Sequence, residues 1–267
     1  QGKTVVNLFF EMSTRTRISF ELAQKRMSAD TVSFSAASSS LNKGESFKDT
    51  VQNIEAMKID AVILRHPASG APLHLTKFVD AVVINAGDGT HEHPTQAILD
   101  MMSLQEQFNN LEGLKVGIIG DISHSRVALS NIFGLTTMGA DVMICGPSTL
   151  IPPHIEKLGV KVSYDMDEVI DWADAVNILR IQLERMGTGL YPSIREYREL
   201  FGLSVERIKR HSKDLVVMHP GPMNRGTEID SAVADSDRAI ILDQVLNGVA
   251  SRMAILYLLL SGKTEEN

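Results

Sequence analysis

The chain has 267 residues, 43% of them hydrophobic and 22% charged, which is enough apolar material for two medium-sized domains. A net charge of −7 excludes non-specific binding to nucleic acid or to a membrane surface, so the basic residues matter only where they converge. The one cysteine, Cys145, excludes an internal disulfide and a cysteine-based metal site, and it fits a reducing, cytoplasmic setting.

The chain opens at Gln1 without a starting methionine, almost directly before its first apolar run, so we expect further N-terminal structure ahead of it. Residues 5–10 suit a buried strand, and residues 18–27, with Ile18, Leu22 and Met27 at near-helical spacing, suit an amphipathic helix. Between them lies Ser13-Thr14-Arg15-Thr16-Arg17, on the first turn of that helix. Outward N–H groups and the positive end of the helix dipole favour an anion there. Hydroxyls add donors, and the arginines add planar forks matched to phosphate oxygens. An ordinary capped helix with solvated arginines is the plainer alternative.

A second apolar strand, residues 61–64, runs into Arg65-His66-Pro67. A cation at the carboxyl end of a strand faces the ligand crevice of an open α/β sheet; a surface ion pair is the competing account. After a third strand, residues 81–84, comes His91-Glu92-His93-Pro94-Thr95-Gln96, ahead of a helix carrying Ile98, Leu99 and Met102. Two histidines flanking a glutamate invite a zinc site, but the sequence marks no third ligand and no metal is expected. His93 and Gln96 read instead as hydrogen-bond donors to a carbonyl or oxyanion, with a lone capping histidine as the alternative.

A polar stretch, residues 105–113, ends in glycine and places the domain boundary. Residues 1–112, with the final helix 244–267 folding back on them, form one domain, and residues 113–243 form the other. Strands are predicted at residues 116–119, 142–145, 175–179, 215–218 and 239–242, and their alternation with helical patterns gives an α/β fold with mainly parallel sheets flanked by helices. The turn after the first of these lacks the glycine spacing of a dinucleotide site, so no nicotinamide or flavin cofactor is expected. Ser125-Arg126 and Leu179-Arg180-Ile181-Gln182 bring two guanidiniums to this domain's crevice, a pair suited to a dicarboxylate. His219-Pro220-Gly221-Pro222 forms a rigid loop whose carbonyls can meet an amine or amide. The apolar run 253–260 is too short to span a bilayer and reads as core helix, so no membrane is expected.

No Ser-His-Asp or Cys-His arrangement stands out. A site rich in donors and poor in bases suits a reaction in which two anionic substrates are oriented and developing negative charge is stabilised, with a substrate phosphate taking up the proton.

Taken in order, Phe9-Phe10-Glu11, Ser13-Thr14-Arg15-Thr16-Arg17, Lys43-Gly44-Glu45, Arg65-His66-Pro67, His93-Pro94-Thr95-Gln96, Ser125-Arg126, Leu179-Arg180-Ile181-Gln182 and His219-Pro220-Gly221-Pro222 resemble the catalytic subunits of the aspartate carbamoyltransferase family over essentially the whole chain. That resemblance implies two parallel-sheet domains with the active site in the crevice between them and at a subunit interface. It implies that Ser13, Thr14, Arg15 and Thr16 bind the phosphate of carbamoyl phosphate, and that Arg65 bridges its phosphate and carbonyl oxygens. Thr16, Arg65 and His93 would form the oxyanion hole; Gln96 and the carbonyls of Pro220 and Gly221, with Pro222 shaping the loop, would hold the carbamoyl NH2. Arg126 would bind the α-carboxylate of L-aspartate, while Arg180 and Gln182 bind its side-chain carboxylate. Arg17 is left as the structural member of its run.

The family works as a homotrimer with shared sites, into which Lys43 and either Ser39 or Ser40 would reach from the neighbour. A regulatory chain or a dihydroorotase are the further partners that it brings. Family members also carry a helix ahead of the first strand that pairs with the final one; its absence from this numbering bears on stability and assembly. Ornithine or another amine as acceptor is the nearest rival, opposed by the cationic Arg180. A catalytically silent scaffold subunit is a rival of another class, opposed by the joint presence of Lys43, Arg65, His93, Arg126 and Arg180.

Overall fold

A computed structural model describes residues 2–35, 46–181, 193–211 and 214–261. The chain divides into two compact units, Gln1–Thr95 with Leu246–Asn267, and Gln96–Val245. The first division falls at the start of a helix.

The first unit is built from β1 (Thr4–Phe9), α1 (Thr14–Arg26), β2 (Asp30–Ser35), α2 (Phe47–Glu55), β3 (Ala61–His66), α3 (Ala71–Leu75) and β4 (Val82–Asp88). Its strands form one parallel sheet in the order β2-β1-β3-β4. Side chains alternate across a strand, so each strand feeds two cores. Val5, Phe9, Ala61 and Ile63 pack with Phe20 and Ala23 of α1; Val6, Leu8, Val62 and Leu64 pack with Val51 of α2 and Leu75 of α3. Helices therefore cover both faces, as near-continuous apolar strands require.

The helix expected after Ser13 is present, but its buried face is not the expected one. Ile18 and Leu22 are 46% and 40% exposed, while Phe20, Ala23 and Gln24 face the sheet. A buried amide pair sets that rotation: Gln24 Nε2 donates to Asn7 Oδ1 at 2.7 Å, and Asn7 Nδ2 donates to Gln24 Oε1 at 3.2 Å. Strand β2 was not anticipated, because Thr31-Val32-Ser33-Phe34 is half polar and lies at a sheet edge.

The second unit contains α4 (Pro94–Phe108), β5 (Lys115–Ile119), α5 (Arg126–Thr137), β6 (Asp141–Cys145), β7 (Lys161–Ser163), α6 (Met166–Trp172), β8 (Ala175–Ile178), α7 (Ile194–Phe201), α8 (Val205–Arg210), β9 (Val216–Met218) and α9 (Ser231–Ala234). Its sheet is also parallel, in the order β7-β6-β5-β8-β9. Gly117 lets α6 approach β5: a Cβ there would meet Val169 Cγ1 at 2.7 Å. Cys145 is buried in β6, and burial pushes its thiol up to about 12, so it is inert packing.

The strand expected at residues 239–242 does not form. Ala239 makes only an isolated bridge to Val217, and Ile241 already begins α10 (Ile241–Ser261). By length and composition α10 could cross a membrane. Instead it packs Val249 and Leu256 into the first unit's core and carries the buried Arg252, which donates to Ser19 Oγ at 3.0 Å and Gly248 O at 2.8 Å.

In each sheet the strand order reverses once, between β1 and β3 in the first and between β5 and β8 in the second. Open α/β sheets bind ligands beyond the carboxyl ends of their strands at that reversal.

Candidate active site

At the first reversal, β1 leads to Ser13 and α1, and β3 leads to Arg65. Ser13 stands at the cap position of α1 but makes no capping bond, and the first turn contains no acidic residue. The positive helix end is therefore not neutralised from within. Thr14 and Arg15 are exposed, while Ser13 and Thr16 are half-buried. Arg17 pairs with Glu21 one turn on, at 3.9 Å, a surface i,i+4 contact.

Arg65 is held firmly. Phe10 N donates to Arg65 O at 2.9 Å, Arg65 Nη1 donates to Ala86 O at 3.2 Å, and Arg65 Nε lies 3.4 Å from Glu11 Oε2. Both side chains of that ion pair are largely buried, so this is not the surface pair offered as the competing account. His66 is structural: its ring packs against Phe10 and Phe47, and burial holds its imidazole below the usual histidine value.

The loops after β3 and β4 are stitched together by Asp88. Its carboxylate accepts from Gly70 N at 2.6 Å, Asn85 Nδ2 at 2.8 Å and Glu92 N at 3.2 Å, with His91 Nδ1 at 3.0 Å. Gly89 has a left-handed φ of 51° and no room for a side chain, since a Cβ would lie 2.4 Å from Ser69 Oγ. This stitched turn delivers the buried His93 to the start of α4, and Arg252 Nη2 donates to Thr95 Oγ1 at 3.4 Å beside it. His91 is engaged with Asp88, and among the described residues no three His, Cys, Asp or Glu groups are placed to hold a metal.

At the second reversal, Ser125 caps α5 by accepting from Ala128 N at 3.2 Å, and Arg126 opens that helix as a buried cation. Leu179 N donates to Ile119 O at 2.8 Å, which sets the β8 end, and with it Arg180, beside the β5 end. The loop from His219 leaves the neighbouring β9. Gly221 N donates to His219 Nδ1 at 2.8 Å, so the proton sits on Nε2, which faces Glu228 Oε1 at 3.3 Å. Asn224 Nδ2 donates to Ile181 O at 3.0 Å and ties this loop to the segment after β8. Pro220 and Gly221 are half-buried and Pro222 is exposed. Lys43, Ser39, Ser40 and Gln182 lie outside the described residues.

Gln96 is turned differently from the donor expected at the helix start. Its Nε2 donates to Asp100 Oδ1 at 2.9 Å. A carboxylate only accepts, so the amide oxygen is the end left to meet a ligand. Asp100 was missed in the sequence, although an acid inside Ile98-Leu99-Asp100-Met101-Met102 on a buried helix was a signal for it. It is fully buried, and burial raises its carboxyl to about 6 against the pull of four amide hydrogen bonds.

The folded state therefore keeps this proton up to about pH 6, whereas the unfolded chain releases it near 3.8. The contribution of Asp100 to unfolding free energy therefore falls as pH rises through that window, by about 3 kcal/mol at about 1.4 kcal/mol per pH unit. Urea denaturation of wild type and Asp100→Asn from pH 4 to 7 checks this: the wild type should lose stability relative to the variant across the window, and parallel curves would refute it.

The profile of the aspartate/ornithine carbamoyltransferase carbamoyl-P binding domain matches residues 1–106, and that of the Asp/Orn binding domain matches residues 112–259. An aspartate carbamoyltransferase catalytic subunit from Gemmatimonas aurantiaca is 58% identical over 265 residues, covering 99% of this chain and 83% of that protein. Aspartate transcarbamoylase from Trypanosoma cruzi, solved in complex with carbamoyl phosphate and aspartate, superposes with a TM-score of 0.85 at 29% identity, over 96% of this chain and 84% of that one. Ornithine carbamoyltransferase from Pyrococcus furiosus also superposes at 0.85, with 27% identity over 98% of this chain and 86% of that one. Two parallel sheets with donor-rich reversals, both domain profiles in order and a majority of identical residues across nearly the full length make this chain a member of the aspartate/ornithine carbamoyltransferase family.

Proposed function

We propose that this chain transfers the carbamoyl group of carbamoyl phosphate to the α-amine of L-aspartate, giving N-carbamoyl-L-aspartate and phosphate, an early step of pyrimidine synthesis. The observation that carries this reading is the chemistry of the two reversals: a helix start with no acidic residue in its first turn, with Arg65, in one unit, and Arg126 with Arg180 in the other. The first suits a phosphate and the second a dicarboxylate.

The residues divide the work as follows. Ser13, Thr14, Arg15 and Thr16 hold the phosphate, and Thr16, Arg65 and His93 donate to the carbonyl oxygen as it becomes an oxyanion. Gln96 Oε1 and the carbonyls of Pro220 and Gly221 accept from the carbamoyl NH2. The neutral amine of aspartate attacks the carbonyl carbon, a C–N bond forms, and the C–O bond to phosphate breaks. Phosphate departs with the amine's proton, so no protein base is required. Arg180 favours aspartate over ornithine, whose side-chain ammonium it would repel. Release of phosphate from carbamoyl phosphate that depends on aspartate, and not on ornithine, tests the reading; no release sinks it.

The proposal includes a homotrimer whose sites are shared, with Lys43 contributed by the neighbour. Inactive Lys43→Ala and Arg65→Ala chains, mixed under conditions of subunit exchange, should regain activity, because some hybrid sites combine two wild-type contributions. No recovery despite exchange confirmed by mass would refute the sharing.

A further inference from the structure

Asp100 receives four amide donors from four separate elements. Gln96 Nε2 of α4 and Gln244 Nε2 of α10 reach Oδ1 at 2.9 and 2.8 Å; Asn131 Nδ2 of α5 and Asn177 Nδ2 of β8 reach Oδ2 at 2.8 and 3.4 Å. Among the described residues every group hydrogen-bonded to this buried carboxylate is a neutral amide, and none forms an ion pair with it. A carboxylate only accepts, so it takes the N–H end of each amide and decides which end points elsewhere. For Gln244 the other end, Oε1, accepts from His219 N at 3.0 Å, at the root of the loop carrying Pro220 and Gly221. For Gln96 the other end is the oxygen.

We propose that Asp100 is a positioning residue for the amide end of the carbamoyl substrate: it fixes Gln96 as an acceptor and, through Gln244, anchors the loop at His219. Both acceptor sets assigned to the carbamoyl NH2 then hang on one carboxylate. The inference rests on the function proposed above. An apolar filler in place of Asp100 would satisfy packing but not the polarity of the two glutamines, which distinguishes orientation from simple core filling.

The test compares carbamoyl phosphate with acetyl phosphate, which keeps the phosphate and carbonyl but carries a methyl in place of NH2. In the full chain, Asp100→Asn should lower kcat/KM for carbamoyl phosphate about tenfold, the scale of one misplaced hydrogen bond. The acetyl phosphate rate and inhibition by inorganic phosphate should stay within about twofold. Equal losses on both substrates, or no loss, would overturn the inference. Should Asp100→Asn not fold by circular dichroism, Gln244→Ala decides in its place, with the same selective loss expected and an equal loss overturning it. A wild type that uses neither substrate sinks the functional reading instead. The relay is then judged by whether Asp100→Asn shifts the side-chain amide NMR signals of Gln96 and Gln244; unmoved signals would overturn it.

Discussion

Replacing Arg65 by alanine is expected to lower kcat/KM for carbamoyl phosphate by about two to three orders of magnitude, the loss typical of one preorganised donor to a developing oxyanion. Two structural facts push the effect to the upper end. The guanidinium is fixed by Ala86 O and by its ion pair, so it is oriented before any substrate arrives. Its removal also takes that cation from the carboxylate of Glu11, which is largely buried. Arg65→Lys should recover only part of the loss, because an ammonium cannot serve two oxygens with a planar fork. Steady-state kinetics decide the matter: an alanine variant within threefold of wild type would remove Arg65 from the site.

Arg180→Ala is expected to raise the KM for aspartate about ten- to hundredfold while leaving that for carbamoyl phosphate nearly unchanged, since a charged hydrogen bond is worth about 1.5–3 kcal/mol. The separation follows from the fold. Arg180 follows β8, at the reversal of the second sheet, and the phosphate-binding residues follow β1 and β3 of the first. Initial rates with each substrate varied in turn check this; an unchanged aspartate dependence would end the assignment. A rise in both KM values would mean that Arg180 supports the whole site rather than one carboxylate.

The sequence exposed those parts of the molecule whose chemistry is local. Strands with runs such as Ala61-Val62-Ile63-Leu64 were legible because burial on both faces leaves nothing polar in them, and Arg65 was legible because it ends such a run. Residues 239–242 misled for the same reason: an apolar run of that length does not say whether it pairs or coils, and here it enters a helix. Edge strands β2 and β7 were hidden because they are half polar or only three residues long. On α1, counting apolar positions chose the wrong face, since the buried Gln24 that fixes the rotation is itself polar. Asp100 and its amides escaped for a related cause. Gln96, Asn131, Asn177 and Gln244 are 35, 46 and 67 positions apart in succession, and only folding gathers them.

Helix α10 has a consequence for how the chain is made. The second unit is one continuous segment and can close as soon as residue 245 has emerged from the ribosome. The first unit begins earlier yet needs Val249 and Leu256 for its core, so its strands wait for a helix that follows the whole second unit. Until then an apolar sheet face beside Phe20 stays open to water, and nascent chains stalled short of that helix are the ones a chaperone should hold.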